Sequence, residues 1–273
     1  RPLRLSSAFM ENGASPSGAA SVLPFSTSRV PLAVPSLSET ISDRILVLDG
    51  GFGTMAQGYG YKGCCDELVL SHPEVVQDIH RRYLAAGADI IETDTFSAQR
   101  ISLADNGLQA KVRDINASAA SIARTIADAF TLTDPSRPRY VAGSVGPTNK
   151  CVSISSPSGP LSREELADAY AEQMEALIEG GVDCLLIETI FDVENAYVAL
   201  EASERVMDRL SCRLPVMLSF SQVNDEGINM NGQDVFEFIR RAARRFDIFS
   251  VGVNCTSEPR NLQPVVQRMA ASL

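Results

Sequence analysis

Cys184-Leu185-Leu186-Ile187-Glu188, followed by a helical stretch from about Asp192 to Arg209, is the run whose reading decides the fold. An unbroken apolar run of this length suits a parallel strand covered on both faces, and a polar residue at its carboxyl end stands where α/β folds carry their chemistry. The arrangement recurs at Ile45-Leu46-Val47-Leu48 into Asp49, Ile90-Ile91 into Glu92-Thr93-Asp94, Tyr140-Val141-Ala142 into Gly143-Ser144, and Val251-Gly252-Val253 into Asn254-Cys255. Together these carboxyl ends define the expected rim of an active site.

Outward from these runs, strands and helices alternate along the chain. Helices are expected over about Pro73 to Ala86, Ala110 to Phe130, a stretch opened by the capping-box spacing of Ser162 to Glu165, Asp192 to Arg209, Gln233 to Phe246, and Arg260 to Ala271. A further strand is expected at Val216 to Ser221, which makes six β/α units. Strict alternation means a parallel α/β sheet, either doubly wound and open or closed as a (β/α)8 TIM barrel. Polar residues at nearly every strand end favour the barrel, because an open sheet concentrates its chemistry at one switch point. On this reading the barrel is truncated after its sixth β/α unit.

The chain has 273 residues, 45% of them hydrophobic, and a formal charge of −10. That charge speaks against nucleic acid as a partner, since phosphate binding needs a basic field. No apolar run approaches the roughly 20 residues of a membrane span, so no membrane partner is expected. Six cysteines without a secreted spacing pattern suggest reduced thiols and a cytoplasmic protein. Residues 1–42, rich in Ser, Ala, Pro and Gly with scattered Arg, are expected to be a disordered extension, with a loosely transit-peptide-like composition, ahead of a barrel domain over 43–273.

Gly51-Phe52-Gly53-Thr54-Met55-Ala56 has the form of a dinucleotide fingerprint, and an NAD-binding oxidoreductase is one alternative. Against it, Asp49 would repel a diphosphate, and Gly58, Gly60 and Gly63 are expected to prevent a prompt helix. His72 and His80 lie in no hydrolytic motif. The adjacent Cys64-Cys65 pair reads as ordinary loop cysteines rather than a metal clip, because neighbouring side chains on an extended chain diverge. Asp49, Glu92, Asp94 and Glu188 are the rim carboxylates, suited as a group to a cation such as an α-ammonium. A non-catalytic fragment or interaction module is the other alternative.

Leu48-Asp49-Gly50-Gly51-Phe52-Gly53-Thr54-Met55, Ala86 through Phe96, Leu186-Ile187-Glu188-Thr189 and Val251-Gly252-Val253-Asn254-Cys255 resemble the successive strand-end motifs of the homocysteine S-methyltransferase family. Gly146-Pro147-Thr148-Asn149-Lys150 and Glu179-Gly180-Gly181-Val182-Asp183 are most similar to the homocysteine-binding domain of cobalamin-dependent methionine synthases. The resemblance implies methyl transfer to homocysteine, giving methionine, on a barrel that binds Zn2+ through three cysteine thiolates. Cys255 matches the first zinc ligand. Asp49, Gly50, Asp94, Glu188 and Asn254 are the expected substrate-binding residues. The other two zinc ligands of the family are a Cys-Cys pair within a Gly-Gly-Cys-Cys-Gly motif that does not occur in this sequence, and Cys64-Cys65, in the first β/α loop, is no replacement, so the chain alone is expected to lack tight zinc and activity. Methylcobalamin is the first expectation for the donor, reached through cobalamin- and folate-binding modules, with betaine or S-methylmethionine as alternatives.

Overall fold

The computed structural model describes residues 34–153, 161–221, 223–224, 226–255 and 259–271. Five strands, β1 (Ile90–Glu92), β2 (Tyr140–Val145), β3 (Cys184–Ile190), β4 (Val216–Phe220) and β5 (Ile248–Val253), form one parallel sheet in chain order. A doubly wound sheet reverses direction at a switch point, and no reversal occurs here. The sheet winds one way. The loop expected around Pro157 and Pro160 lies outside the described residues.

The helices are α1 (Leu37–Asp43), α2 (Phe52–Gly58), α3 (Leu68–Ser71), α4 (Pro73–Ala86), α5 (Arg100–Leu103), α6 (Val112–Thr133), α7 (Arg163–Glu179), α8 (Val193–Arg209), α9 (Val235–Ala242) and α10 (Pro259–Ala270). Their ends follow from side-chain chemistry. Pro73 opens α4 with no N–H to leave unpaired, and Gly87 closes it at φ 112°, a left-handed conformation that glycine adopts without a Cβ clash. Ser162 and Glu165 form the expected capping box of α7, while Asp192 and Asp234 accept the first N–H groups of α8 and α9.

Alternate residues of the strands face opposite ways, which divides the core into two layers. Val141, Leu185, Ile187, Leu218 and Phe220 pack outward against the helices. Ile90, Tyr140, Ala142, Cys184 and Leu186 face inward, where Leu37 of α1 covers them. None of the described helices is long and apolar enough to cross a membrane.

Three sequence expectations need correction. The extension expected to be disordered through residue 42 contains α1, capped by Ser36 and Glu39 and tied to the sheet by the Thr40 hydroxyl at 2.6 Å from the Tyr140 hydroxyl. Residues 1–33 lie outside the described ones. The Ile45–Leu48 run is a single parallel bridge, Leu48 to Ile90, rather than a full strand, and it leaves Ile45 89% exposed. Finally, a helix does follow the Gly50-Gly51 turn at once. Gly58 is the last residue of α2, and Gly60, at φ 83°, lies just beyond it.

His80 of α4 is fully buried 5.7 Å from the Phe52 ring, with neither ring nitrogen partnered among the described residues. Burial pushes its pKa down to about 4. Between that value and the unfolded value near 6.5 the unfolded chain takes up the proton, so stability is complete above about pH 6.5. It falls by about 3 kcal/mol as the pH drops to about 4. Urea melts of His80→Leu are expected to lack this part of the acid sensitivity; an identical pH profile in parent and variant would contradict it.

Candidate active site

At the carboxyl ends of the strands lies a cavity of about 1080 Å³, lined by all six residues singled out from the sequence: Asp49, Gly50, Asp94, Glu188, Asn254 and Cys255. Glu92 lines it as well. The structure brings these residues together from the Leu48 bridge and the carboxyl ends of β1, β3 and β5.

Glu188 is the best-held carboxylate. It is buried at the end of β3, where the Ser144 hydroxyl donates to Oε1 and the Asn254 amide donates to Oε2 at 3.2 Å. Asp49 Oδ2 accepts the Glu92 backbone N–H at 3.0 Å, whereas Asp49 Oδ1 is buried with no partner among the described residues. Burial, reinforced by the neighbouring Glu188 charge, pushes Asp49 up to about 7. Burial and both neighbouring carboxylates raise Glu92 well above the ordinary range, and burial raises Glu188 against its hydrogen bonds. Ion pairs among the described residues lie elsewhere, such as those of Arg44 and Arg137 with Asp89 and of Arg124 with Asp183. The three close carboxylates Asp49, Glu92 and Glu188 have no paired cation among the described residues, and burial and mutual repulsion favour their protonated forms until one arrives.

Asn254 joins this group to the thiol. Its Oδ1 accepts from the Thr189 N–H at 3.1 Å and the Ser219 hydroxyl at 2.9 Å, and its Nδ2 lies 3.7 Å from Cys255 Sγ. Cys255 is exposed at the mouth and lines the same cavity as Asp49 and Glu188; it is not turned into the apolar interior. Thr189 and Cys255 both have left-handed backbones, φ 54° and 44°. Such strain in a β-branched residue costs about 1–3 kcal/mol and concentrates at functional sites. At Thr189 it coincides with the register shift between Ile187 and Ile190.

Asp94 shares the cavity but belongs to a different acid pair. It is only 4% exposed, its Oδ2 has no partner among the described residues, and the carboxylate that raises it, after burial, is Asp66. Asp66 in turn accepts the Ser97 N–H at 2.9 Å and the Cys64 thiol at 3.5 Å. Burial, then Asp66, pushes Cys64 up to about 12, and burial with Asp94 raises Cys65, so both thiols stay protonated. Gly50 is exposed in the first turn, where a Cβ would come within 3.2 Å of the Tyr83 hydroxyl.

Sequence reasoning gave no role to Ser144, Thr189 or Ser219, and left Glu92 out of the binding set. Ser144 and Glu92 carried a signal, a polar residue at a strand end. Thr189 and Ser219 carried none. As for a metal, no three His, Cys, Asp or Glu groups come within ligating reach of one another among the described residues. These residues therefore do not fit a zinc centre on their own.

The homocysteine S-methyltransferase family model matches residues 46–273, and the chain belongs to that family of methyltransferases. Among solved structures, the chain is similar to the homocysteine methyltransferase MmuM from Escherichia coli at 22% identity. The metallated form aligns with a TM-score of 0.72 over 86% of this chain and 83% of that one. The oxidized form aligns at 0.71 over 85% and 81%, and the apo form at 0.66 over 85% and 80%. This likeness bears on the fold, an α/β architecture with a parallel sheet.

Proposed function

We propose that the chain is the homocysteine-binding part of a methionine synthase-like methyltransferase, with its one-way sheet forming consecutive staves of a (β/α)8 barrel. The observation that carries the reading is the Asp49, Glu92 and Glu188 cluster, which has no paired cation among the described residues and a buried Asp49 oxygen with no partner among them. The α-ammonium of homocysteine supplies the missing charge, and charge-assisted hydrogen bonds in a site of this burial are strong. Ser144 and Asn254 fix the Glu188 carboxylate from both oxygens, so it does not have to reorganise when the ammonium arrives.

In this reading Asn254 sets the direction of the substrate, because the same amide meets Glu188 at one side and Cys255 at the other. Homocysteine held by its ammonium then extends its thiol toward Cys255. Were the family's metal held beside Cys255, it would supply deprotonation of that thiol. Cys255 would be one of its ligands, and the others are not among the described residues. Methylcobalamin, presented by cobalamin- and folate-binding modules, remains the first donor expected from the methionine synthase resemblance.

A single thiolate holds zinc weakly, so the 273-residue protein is expected to retain well under one equivalent after dialysis and to show no methyl transfer. Metal analysis of the protein and of Cys255→Ser tests this. Stoichiometric zinc that survives the substitution would remove Cys255 from the metal site. The reading as a whole is tested by calorimetric titration with homocysteine, which should bind the parent protein and fail to bind Glu188→Gln.

A further inference from the structure

Neighbouring residues of a regular strand point to opposite faces of the sheet, yet Glu188 and Thr189 near the end of β3 reach the same side chain. The Asn254 amide donates through Nδ2 to Glu188 Oε2 at 3.2 Å and to Thr189 Oγ1 at 2.8 Å. Two departures from strand geometry coincide here: the β3–β4 register shifts between Ile187 and Ile190, and Thr189 has φ 54°. Ile190 then returns to the apolar core at 4% exposure. An irregularity of this kind re-aims a side chain, and a left-handed backbone on a β-branched residue is strained and persists only where its surroundings hold it.

The amide is held at its other end as well. Its Oδ1 accepts the Thr189 backbone N–H at 3.1 Å and the Ser219 hydroxyl at 2.9 Å. A backbone N–H can only donate, so the atom facing it must be the amide oxygen, and Nδ2 is thereby turned toward Glu188. Turned over, the amide would set its own N–H groups against the Thr189 N–H and its oxygen against the Glu188 carboxylate. Thr189 thus grips both ends of the amide, with its N–H on the oxygen and its Oγ1 on the nitrogen, and its hydroxyl donates onward to Cys255 Sγ at 3.9 Å. Ser219 stands opposite Gly252 in the β4–β5 register, and the Asn254 N–H donates to Phe220 O at 2.9 Å, which ties the segment carrying the amide to the strand carrying the hydroxyl.

We infer that Thr189 and Ser219 are positioning residues: together they lock the Asn254 amide in the one orientation that donates to Glu188, and the strained turn at Thr189 serves that lock. The inference rests on the proposed function for the ligand whose binding it governs. With the amide locked, one Glu188 oxygen is held by Asn254 and the other by Ser144 before any ammonium arrives, so binding does not have to order them. With the lock removed, the amide turns about its last torsion and Glu188 loses a fixed donor.

The test is calorimetric titration of the 273-residue protein and its variants with homocysteine. Ser219→Ala should weaken binding about fivefold and Thr189→Ala about tenfold, whereas Thr189→Ser, which keeps the hydroxyl, should bind within about twofold of the parent. Thr189→Gly should lose as much affinity as Thr189→Ala while melting above it, since glycine adopts φ 54° freely; that order separates the loss of binding from any loss of stability. Because both residues act through Asn254, the Ser219→Ala and Thr189→Ala losses should shrink to less than about twofold when repeated in Asn254→Ala. Parent-like affinity in Ser219→Ala, Thr189→Ala or Thr189→Gly overturns the inference. So does a loss in Thr189→Ser as large as that in Thr189→Ala, or losses of full size in the Asn254→Ala background. If the parent protein does not bind homocysteine, the proposed function fails, and solvent exchange of the Asn254 side-chain amide hydrogens, followed by NMR, decides the inference on its own. Exchange quickened severalfold in both Ser219→Ala and Thr189→Ala supports the lock, and unchanged exchange overturns it. The same measurement decides if Asn254→Ala binds too weakly to titrate.

Discussion

Glu188→Gln is expected to lower homocysteine affinity at least about 100-fold, by roughly 3 kcal/mol, while raising the melting temperature of the ligand-free protein. The two effects have one cause. Without ligand, three carboxylates crowd one another, and burial, reinforced by the Glu188 charge, pushes Asp49 up to about 7. Removing one charge relieves the others. With ligand, the ammonium favours the ionised form of every carboxylate around it, and the amide of Gln cannot take Glu188's place as its counter-ion. The pH dependence has a definite sign. Asp49 holds its proton below about pH 7 in the empty site and gives it up on binding, so affinity should fall as the pH drops through about 7 and level off above it. Titrations at pH 5.5 and pH 8.5, each in two buffers of different ionisation heat, measure affinity and proton release together. Equal affinity at both pH values, with no proton release, would remove the carboxylate cluster from substrate binding.

The strand ends were legible because burial on both faces demands unbroken apolar runs. Cys184 to Glu188 and Tyr140 to Ser144 are found as expected, and β3 and β2 extend past them by two residues and one. Exposure cannot be read from such a run, which is why Ile45 to Leu48 looked like a buried strand and is a single bridge at the sheet edge. The capping box of Ser162 and Glu165 was recognised. The same spacing at Ser36 and Glu39 was obscured by the Ser- and Pro-rich composition around it, and α1 was missed with it. At the site, residue types at strand ends marked Asp49, Glu188, Asn254 and Cys255 as rim residues, which the cavity lining bears out, whereas their binding roles were expected only from the family resemblance. The pairing of Asp94 with Asp66 depends on the Cys65–Glu67 turn meeting the segment after β1, where the Ser97 N–H reaches Asp66, a tertiary contact that no local pattern announces. The left-handed turns at Thr189 and Cys255 are imposed by tertiary structure on residues with no local preference for them.

Asp89→Asn should destabilise the protein by about 3 kcal/mol at neutral pH and weaken homocysteine binding too, although Asp89 lies at the amino end of β1, away from the rim. Its side chain is 1% exposed and accepts from three groups, the Val47 N–H at 3.0 Å, Arg44 at 3.0 Å and Arg137 at 2.7 Å, while its backbone N–H donates to Val47 O at 2.7 Å. Against burial, which acts upward, the hydrogen bonds from Arg44, Arg137 and Val47 hold its pKa down to about 2. A carboxylate lowered in this way stabilises the fold above about pH 4, and its contribution is lost as the pH falls toward 2. Parent and variant should therefore differ most in urea melts at pH 7 and converge near pH 3. The functional effect follows from what Asp89 holds. The segment that carries Asp49 is joined to β1 by the Leu48 bridge, by the Asp49 N–H to Ile90 O at 2.9 Å, and by these Asp89 contacts. Loosening the segment at its base moves Asp49 at its tip, and hydrogen exchange over 45–49 should quicken in the variant. Glu188→Gln is expected to lose binding and gain stability, whereas Asp89→Asn loses both; a variant that melts lower while binding homocysteine at full affinity would show that Asp49 does not depend on this anchor.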